Sequence, residues 1–195
     1  MYIKEFKLKK EYRTIKPFTL KFKDGLNLIV GDNGSGKSTL LNLIFDASNG
    51  NENEDEKEIK EITLSEYCQK HGTNVKFFDA EKHNPRIKGS VEFSNDIQWD
   101  IQSHFMSHGE VIFPMVNSVK SVKNAIVLFD EPEAGVSLSN QKEIYNSLLA
   151  AEKNKCQLIV STHSYVIIKN TPEVFDMETR EWIKSETYLK KFNNE

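Results

Sequence analysis

"GDNGSGKST" occupies Gly31 to Thr39, directly after the apolar run "LNLIV". It fits the G-x-x-x-x-G-K-[ST] pattern of a phosphate-binding loop. Gly31, Gly34 and Gly36 let the backbone take left-handed conformations, so successive N–H groups can turn inward onto phosphate oxygens. Side chains there would block that approach. Lys37 supplies a point charge for β- and γ-phosphates, and the Ser38 hydroxyl is placed to ligate Mg²⁺. Asp32, Asn33 and Ser35 complete the loop, and Thr39 opens a helix-forming stretch, "TLLNLIF". A phosphate bound here would sit at the positive end of that helix. The buried strand before the loop and the helix after it supply the context that a chance Gly-rich turn would lack.

Upstream of the loop, "PFTLKFKDG" sets Phe18, Leu20 and Phe22 against Thr19, Lys21 and Lys23. This is the period of a half-buried strand with its lysines in water. With "IKEFKL" as an earlier strand, it predicts an antiparallel hairpin ahead of the phosphate loop. "SNGNENEDEKE" (48–58) reads as an exposed loop, "NVKFFD" (74–79) as a short strand and "AEKHNPRIKG" as a loop. Val111, Ile112, Met115, Val116 and Val119 fall close to helical spacing, with Pro114 in a first turn. "NAIVLFDEPE" and "QLIVSTHS" are buried strands, and between them 139–153 is predicted helical with Ser139 as its N-cap. The C-terminal segment suggests a strand, a tight turn and a short helix. Buried strands alternating with helices predict an α/β fold, its mainly parallel sheet covered on both faces and joined by an antiparallel N-terminal β-layer.

A chain of 195 residues with 38% hydrophobic and 28% charged side chains suits one soluble globular domain. No N-terminal segment has the pattern of an export signal, so a cytoplasmic protein without membrane insertion is expected. Cys68 and Cys156 are too few for a disulfide framework or a zinc site. The net charge of −3 offers no global attraction to nucleic acid, yet it is unevenly spread. Residues 1–23 hold eight basic side chains against two acidic, and 51–61 hold six acidic against two basic. These are solvated faces, or docking surfaces for a protein or nucleic acid.

"IVLFDEPE" places Asp130 and Glu131 at the carboxyl end of a buried strand, where ligands bind in parallel α/β sheets. Asp130 suits Mg²⁺, a hard cation that takes carboxylate oxygen. Glu131, on the opposite face of the strand, is expected to orient and deprotonate a water attacking a γ-phosphate. "LIVSTHS" ends a second buried strand with Thr162 and His163 at the same edge, placing the imidazole for a γ-phosphate contact.

"GDNGSGKST", "SHGE", "LFDEPE" and "STHS" together resemble, in order and spacing, the motifs of ATP-binding-cassette (ABC) ATPases. Asp130 follows Lys37 by 93 residues, His163 follows Glu131 by 32, and Ser107 precedes Asp130 by 23. The likeness is strongest to small stand-alone ABC-type ATPases of the AAA family, related to SMC and RecF-like proteins. It implies a P-loop NTPase of ABC type over residues 1–195, with a reduced helical subdomain at about 84–121. It implies ATP and Mg²⁺ as cofactors, with Lys37, Glu131 and His163 as the catalytic set. Ser107, Gly109 and Glu110 would form the signature motif that completes the ATP site of a second subunit, giving an ATP-dependent homodimer. A serine hydroxyl and a glycine N–H at a helix N-terminus do make an anion site. Tyr12 or Arg13 would stack on adenine, and Glu81 or Asn84 would serve in the Q-loop, Glu81 near the metal.

Departures from the transporter pattern shape the expectation. The signature is not the full "LSGGQ", the subdomain is short, no Gln stands clearly after "VKFFD", and Ser137 stands where transporters usually carry Asp. Mg-dependent ATP hydrolysis coupled to a protein or nucleic-acid partner is therefore the leading expectation, in settings such as phage, phage defence or DNA repair. The rivals are a transporter's nucleotide-binding subunit, which the degenerate signature disfavours, and a switch with negligible turnover, which has no need of Glu131.

Overall fold

The structure, a computed structural model, describes residues 2–50, 54–79, 113–114 and 116–192. In chain order the elements begin with strands β1 (Ile3–Leu8), β2 (Phe18–Lys21) and β3 (Leu26–Val30). Helices α1 (Lys37–Asn49) and α2 (Glu54–Ile59) lead into β4 (Lys60–Leu64), α3 (Glu66–His71) and β5 (Val75–Asp79). A short 3-10 turn (Ser118–Ser121) precedes β6 (Ile126–Asp130), α4 (Leu138–Lys153), β7 (Gln157–Ser161) and α5 (Tyr165–Lys169). Strands β8 (Glu173–Asp176) and β9 (Glu181–Lys184) and helix α6 (Ser185–Lys190) follow.

The larger sheet runs β5-β6-β7-β3-β8-β9 and is parallel except for its β8–β9 edge pair. Its central strands read as apolar runs because both faces are covered, and neighbouring side chains go to opposite faces. Leu28, Val30, Val127, Phe129, Leu158 and Val160 face a core built with Ile144 and Leu148 of α4 and Ile167 of α5. Ile29, Ile126, Leu128 and Ile159 face the other core, shared with Leu40, Leu41 and Ile44 of α1. The second sheet, β2-β1-β4, is antiparallel and closes over this core with Ile3, Phe6, Leu8 and Leu20. Fully burying each such side chain is worth about 1.5–3 kcal/mol.

Two buried amides tie the chain together, Gln157 across the two sheets and Asn27 between β3, β7 and the turn before β3. The Gln157 Oε1 at the start of β7 accepts from the N–H groups of Tyr2 and Ile3, while its Nε2 donates to the carbonyls of Ile3 and Lys23. Asn27 in β3 donates to the Lys23, Gly25 and Leu158 carbonyls and accepts from the Lys23 N–H. Each is fully satisfied, as a buried amide must be.

Several elements differ from the sequence reading. The segment read as an exposed loop forms α2 over its last residues, Glu54 to Glu58, and leads into β4, which pairs with β1 (Phe6 opposite Ile62). Good helix formers drive the first of these. The pairing brings the acidic stretch against the basic N-terminus: Lys9 meets Glu61 at 3.0 Å and Lys10 meets Glu58 at 2.7 Å. Helix α4 starts at Leu138, and its N-cap is Ser137, not Ser139: Ser137 has extended backbone angles and its hydroxyl accepts from the Asn140 N–H. The C-terminal turn returns through β9, antiparallel to β8, before α6. Most of the proposed helical subdomain lies outside the described residues, but Val116 and Val119 are both in the core. Both cysteines are buried and free.

Candidate functional site

The phosphate loop follows β3, and its glycines have positive φ: 146° at Gly31, 82° at Gly34 and 96° at Gly36. Two of them also stand where a side chain has no room. A Cβ on Gly36 would lie 2.6 Å from Ile15, and one on Gly31 would lie 2.8 Å from the Ser35 hydroxyl. Helix α1 opens at Gly36 with no side-chain cap and no acidic residue in its first turn. Helices α3, α4 and α5, in contrast, are each capped by a serine, Ser65, Ser137 and Ser164. The N–H groups at the start of α1 are thus left for an anion.

Lys37 is 4% exposed, and its Nζ donates to the Gly31 and Asp32 carbonyls at 3.0 and 3.2 Å. Burial pushes its pKa below the ordinary lysine value, while the charges of Glu131, Asp130, Asp32 and Glu133 act the other way. A buried ammonium held by two carbonyls in a glycine-turned loop fits a polyphosphate that would complete its coordination. Asp32, Asn33 and Gly34 line the exposed outer turn of the loop, and Ser38 is exposed in the first turn of α1 with Thr39 beside it.

Strand β7 lies between β3 and β6, so its carboxyl end joins the two loops that follow them. The Thr162 N–H donates to the Ile29 carbonyl, and Asp130 pairs in register with Ser161. The Ser161 hydroxyl donates to Asp130 Oδ1 at 2.5 Å and accepts from the Glu131 N–H at 3.1 Å. Asp130, buried and aimed by this bond, and the Ser38 hydroxyl are hard oxygen donors of the kind that suit Mg²⁺. Among the described residues no cluster of three or more His, Cys, Asp or Glu side chains would hold a metal by itself.

Glu131 is not the last residue of the strand. It leaves β6 with φ +49°, a left-handed conformation that costs a non-glycine residue about 1–2 kcal/mol. That turn, rather than strand alternation, swings its carboxylate toward the phosphate loop, 4.0 Å from Lys37 Nζ and 3.4 Å from His163 Nε2. Lys37, Glu131 and His163 therefore converge, with the last two about a third exposed and open to a substrate.

Tyr12 and Arg13 form a tight turn, in which the Tyr12 and Ile15 backbones exchange hydrogen bonds and Arg13 has φ 55°. The Arg13 guanidinium lies 5.6 Å from the Tyr12 ring centre. Ile15 packs against Gly36, so the turn stands beside the phosphate loop. Ser107, Gly109, Glu110, Glu81 and Asn84 lie outside the described residues.

Two features of the site escape the sequence reading. Ser161 aims Asp130, and Glu133 bridges to the loop after β7. The Glu133 Oε1 accepts from the Thr162 hydroxyl at 2.8 Å, the His163 N–H at 2.6 Å and the Ser164 N–H at 3.0 Å. The signal in the sequence was the third carboxylate of "DEPE" beside a buried strand end.

The fold is that of ATP-binding-cassette domains, with a glycine-turned phosphate loop at the head of α1. The AAA-domain family profile matches residues 10–195, and the chain belongs to that family. Its fold is similar to that of a metal-chelate type ABC transporter in an inward-facing conformation, with 14% identity, 96% of this chain and 85% of that chain covered, and a TM-score of 0.59. It is also similar to a nucleotide-free ATP-binding cassette from an ABC transporter, with 13% identity, 100% and 96% covered, and a TM-score of 0.56. The SMC head bound to the C-terminal winged-helix domain of ScpA matches with 14% identity, 97% and 100% covered, and a TM-score of 0.56. No curated protein sequence matches the chain significantly.

Proposed function

We propose that the protein binds Mg²⁺-ATP and hydrolyses it, and that ATP closes two copies head to tail. The observation that carries this reading is the Glu131 carboxylate, held by a left-handed backbone turn between His163 and the buried Lys37. A nucleotide-gated switch with negligible turnover would not need a carboxylate at that place.

The roles follow from the chemistry of each group. The uncapped start of α1 and the Lys37 ammonium hold the β- and γ-phosphates. Ser38 and Asp130 would hold Mg²⁺, which when bound neutralises charge on the phosphate oxygens. Glu131 accepts the proton of the attacking water, and His163, whose Nε2 lies 3.4 Å from that carboxylate, faces the γ-phosphate. Tyr12 or Arg13, beside the loop, takes the adenine. Ser107, Gly109 and Glu110 are proposed to reach the ATP of the second copy, and Glu81 or Asn84 to lie near the metal and the attacking water. The pairing of Lys9 and Lys10 with acidic side chains leaves less free positive charge for nucleic acid, which favours a protein partner. Among the described residues no helix is long and apolar enough to cross a membrane.

Turnover tests the reading. The purified chain should release phosphate from ATP only when Mg²⁺ is present, and Glu131→Gln should bind ATP without releasing phosphate appreciably. Light scattering of Glu131→Gln should then show a dimer with ATP and a monomer without it, and Ser107→Arg in that background should abolish the dimer. A Glu131→Gln chain that stays monomeric at saturating ATP contradicts the shared site.

A further inference from the structure

Glu133 sits in the turn between β6 and α4, three residues beyond Asp130, and is 8% exposed. Its Oε1 collects three donors, and all of them belong to Thr162, His163 and Ser164. Its Oε2 is buried and has no hydrogen-bond partner among the described residues. A carboxylate buried with one oxygen unpaired costs free energy that the three donors on the other oxygen must offset. The arrangement thus commits its bonding capacity to one task, fixing the backbone of the loop that follows β7.

The far end of that loop is held separately. Ser164 caps α5 through the Ile167 N–H and donates its hydroxyl to Gln141 of α4. Toward His163, the Glu133 carboxylate is what receives the backbone N–H. The same turn carries Glu131, whose N–H is bound to Ser161 and whose carbonyl accepts from Ala134. Both members of the Glu131–His163 pair are therefore referenced to one short turn.

We propose that Glu133 is a positioning residue, whose Oε1 sets the approach of the His163 imidazole to the Glu131 carboxylate by holding the Thr162–Ser164 backbone. The catalytic consequence rests on the reading of Glu131 as the base. Without the three bonds the imidazole loses its register, and a misplacement of about 1 Å in a site of this kind can cost about 10²-fold in rate. Nucleotide affinity, set by the phosphate loop, should not change.

The experiment uses the full chain and a readout independent of turnover. The imidazole resonances are recorded by NMR, with His163 assigned through His163→Gln, and the shift that Glu131→Gln produces at His163 is measured in three backgrounds. In the wild type and in Glu133→Gln, whose amide oxygen can still collect the donors, the shift should be present. In Glu133→Ala it should vanish, with kcat about 10²-fold down at unchanged ATP affinity, while Glu133→Gln keeps most of its kcat. If Glu133→Ala does not fold, Thr162→Val, which deletes one donor at nearly constant volume, should diminish the shift. The positioning role is overturned by an undiminished shift in folded Glu133→Ala, or in Thr162→Val where that variant stands in. It is equally overturned by the absence of a shift in the wild type, by Glu133→Gln being as impaired as Glu133→Ala, or by a kcat loss matched by an equal loss of ATP affinity. A wild-type chain that never hydrolyses ATP contradicts the proposed function instead, and leaves the resonance measurement valid.

Discussion

The Nε2 of His163 lies 3.4 Å from the Oε1 of Glu131, although the two residues follow different strands and stand 32 positions apart. The sheet order produces this contact: β6 and β7 are neighbours in register, so Asp130 faces Ser161 and the residues just beyond them meet. Lys37 joins the pair from the opposite side of β7 because β3 is that strand's other neighbour.

Lys37 makes its hydrogen bonds inside the phosphate loop, and Lys37→Ala removes the charge meant for the β- and γ-phosphates while leaving both cores intact. Calorimetry should detect no ATP binding in a variant that melts near the wild-type temperature. Micromolar affinity in a folded Lys37→Ala chain would mean that the phosphate site is elsewhere.

The glycines of the same loop should not be equivalent. Gly34 has φ 82°, and a Cβ added there would meet nothing within 4 Å, so Gly34→Ala carries only the backbone cost, about 1–2 kcal/mol. Gly36→Ala adds a clash with Ile15 at 2.6 Å, worth about a further 1–3 kcal/mol. Urea denaturation should rank Gly36→Ala well below Gly34→Ala, and equal losses would contradict the packing of Ile15 on the loop.

A pH dependence follows from Glu133. Burial pushes its carboxyl above the ordinary value of 4.5 and the Glu131 charge adds to this, while hydrogen bonds from His163 and Thr162 oppose it. The folded chain then holds this proton more tightly than the unfolded chain. Its contribution to stability is complete below pH 4.5 and is lost as pH rises through the folded value. Glu133→Gln does not titrate, so its melting temperature relative to wild type should rise between about pH 4 and about pH 7. A difference that stays constant over that range would show that the carboxyl is not shifted.

The parallel strands were legible because each is a short apolar run ending in polar chemistry, and "IKEFKL" matches β1 residue for residue. Strand β4 was not, since "KEITL" alternates only weakly and becomes a strand by pairing with β1. Ser137 displaced Ser139 as a cap because the choice depends on backbone angles that two nearby serines do not reveal. In the site, the identities of Lys37, Asp130, Glu131 and His163 could be read from motifs, whereas the direction of Glu131 comes from its φ of +49°. Glu133 was missed because two of its three donors are backbone N–H groups, which any sequence supplies.

The proposed role of Glu131, deprotonating the water that attacks the γ-phosphate, can be measured at the chemical step itself. Single-turnover quench, with enzyme in excess over Mg²⁺-ATP, compares the wild type with Glu131→Gln. ATP binding should be equal, and the chemical step should be slowed about 10²- to 10⁴-fold in the variant, the range for a positioned general base. A Glu131→Gln chain that cleaves bound ATP at the wild-type rate would contradict that role.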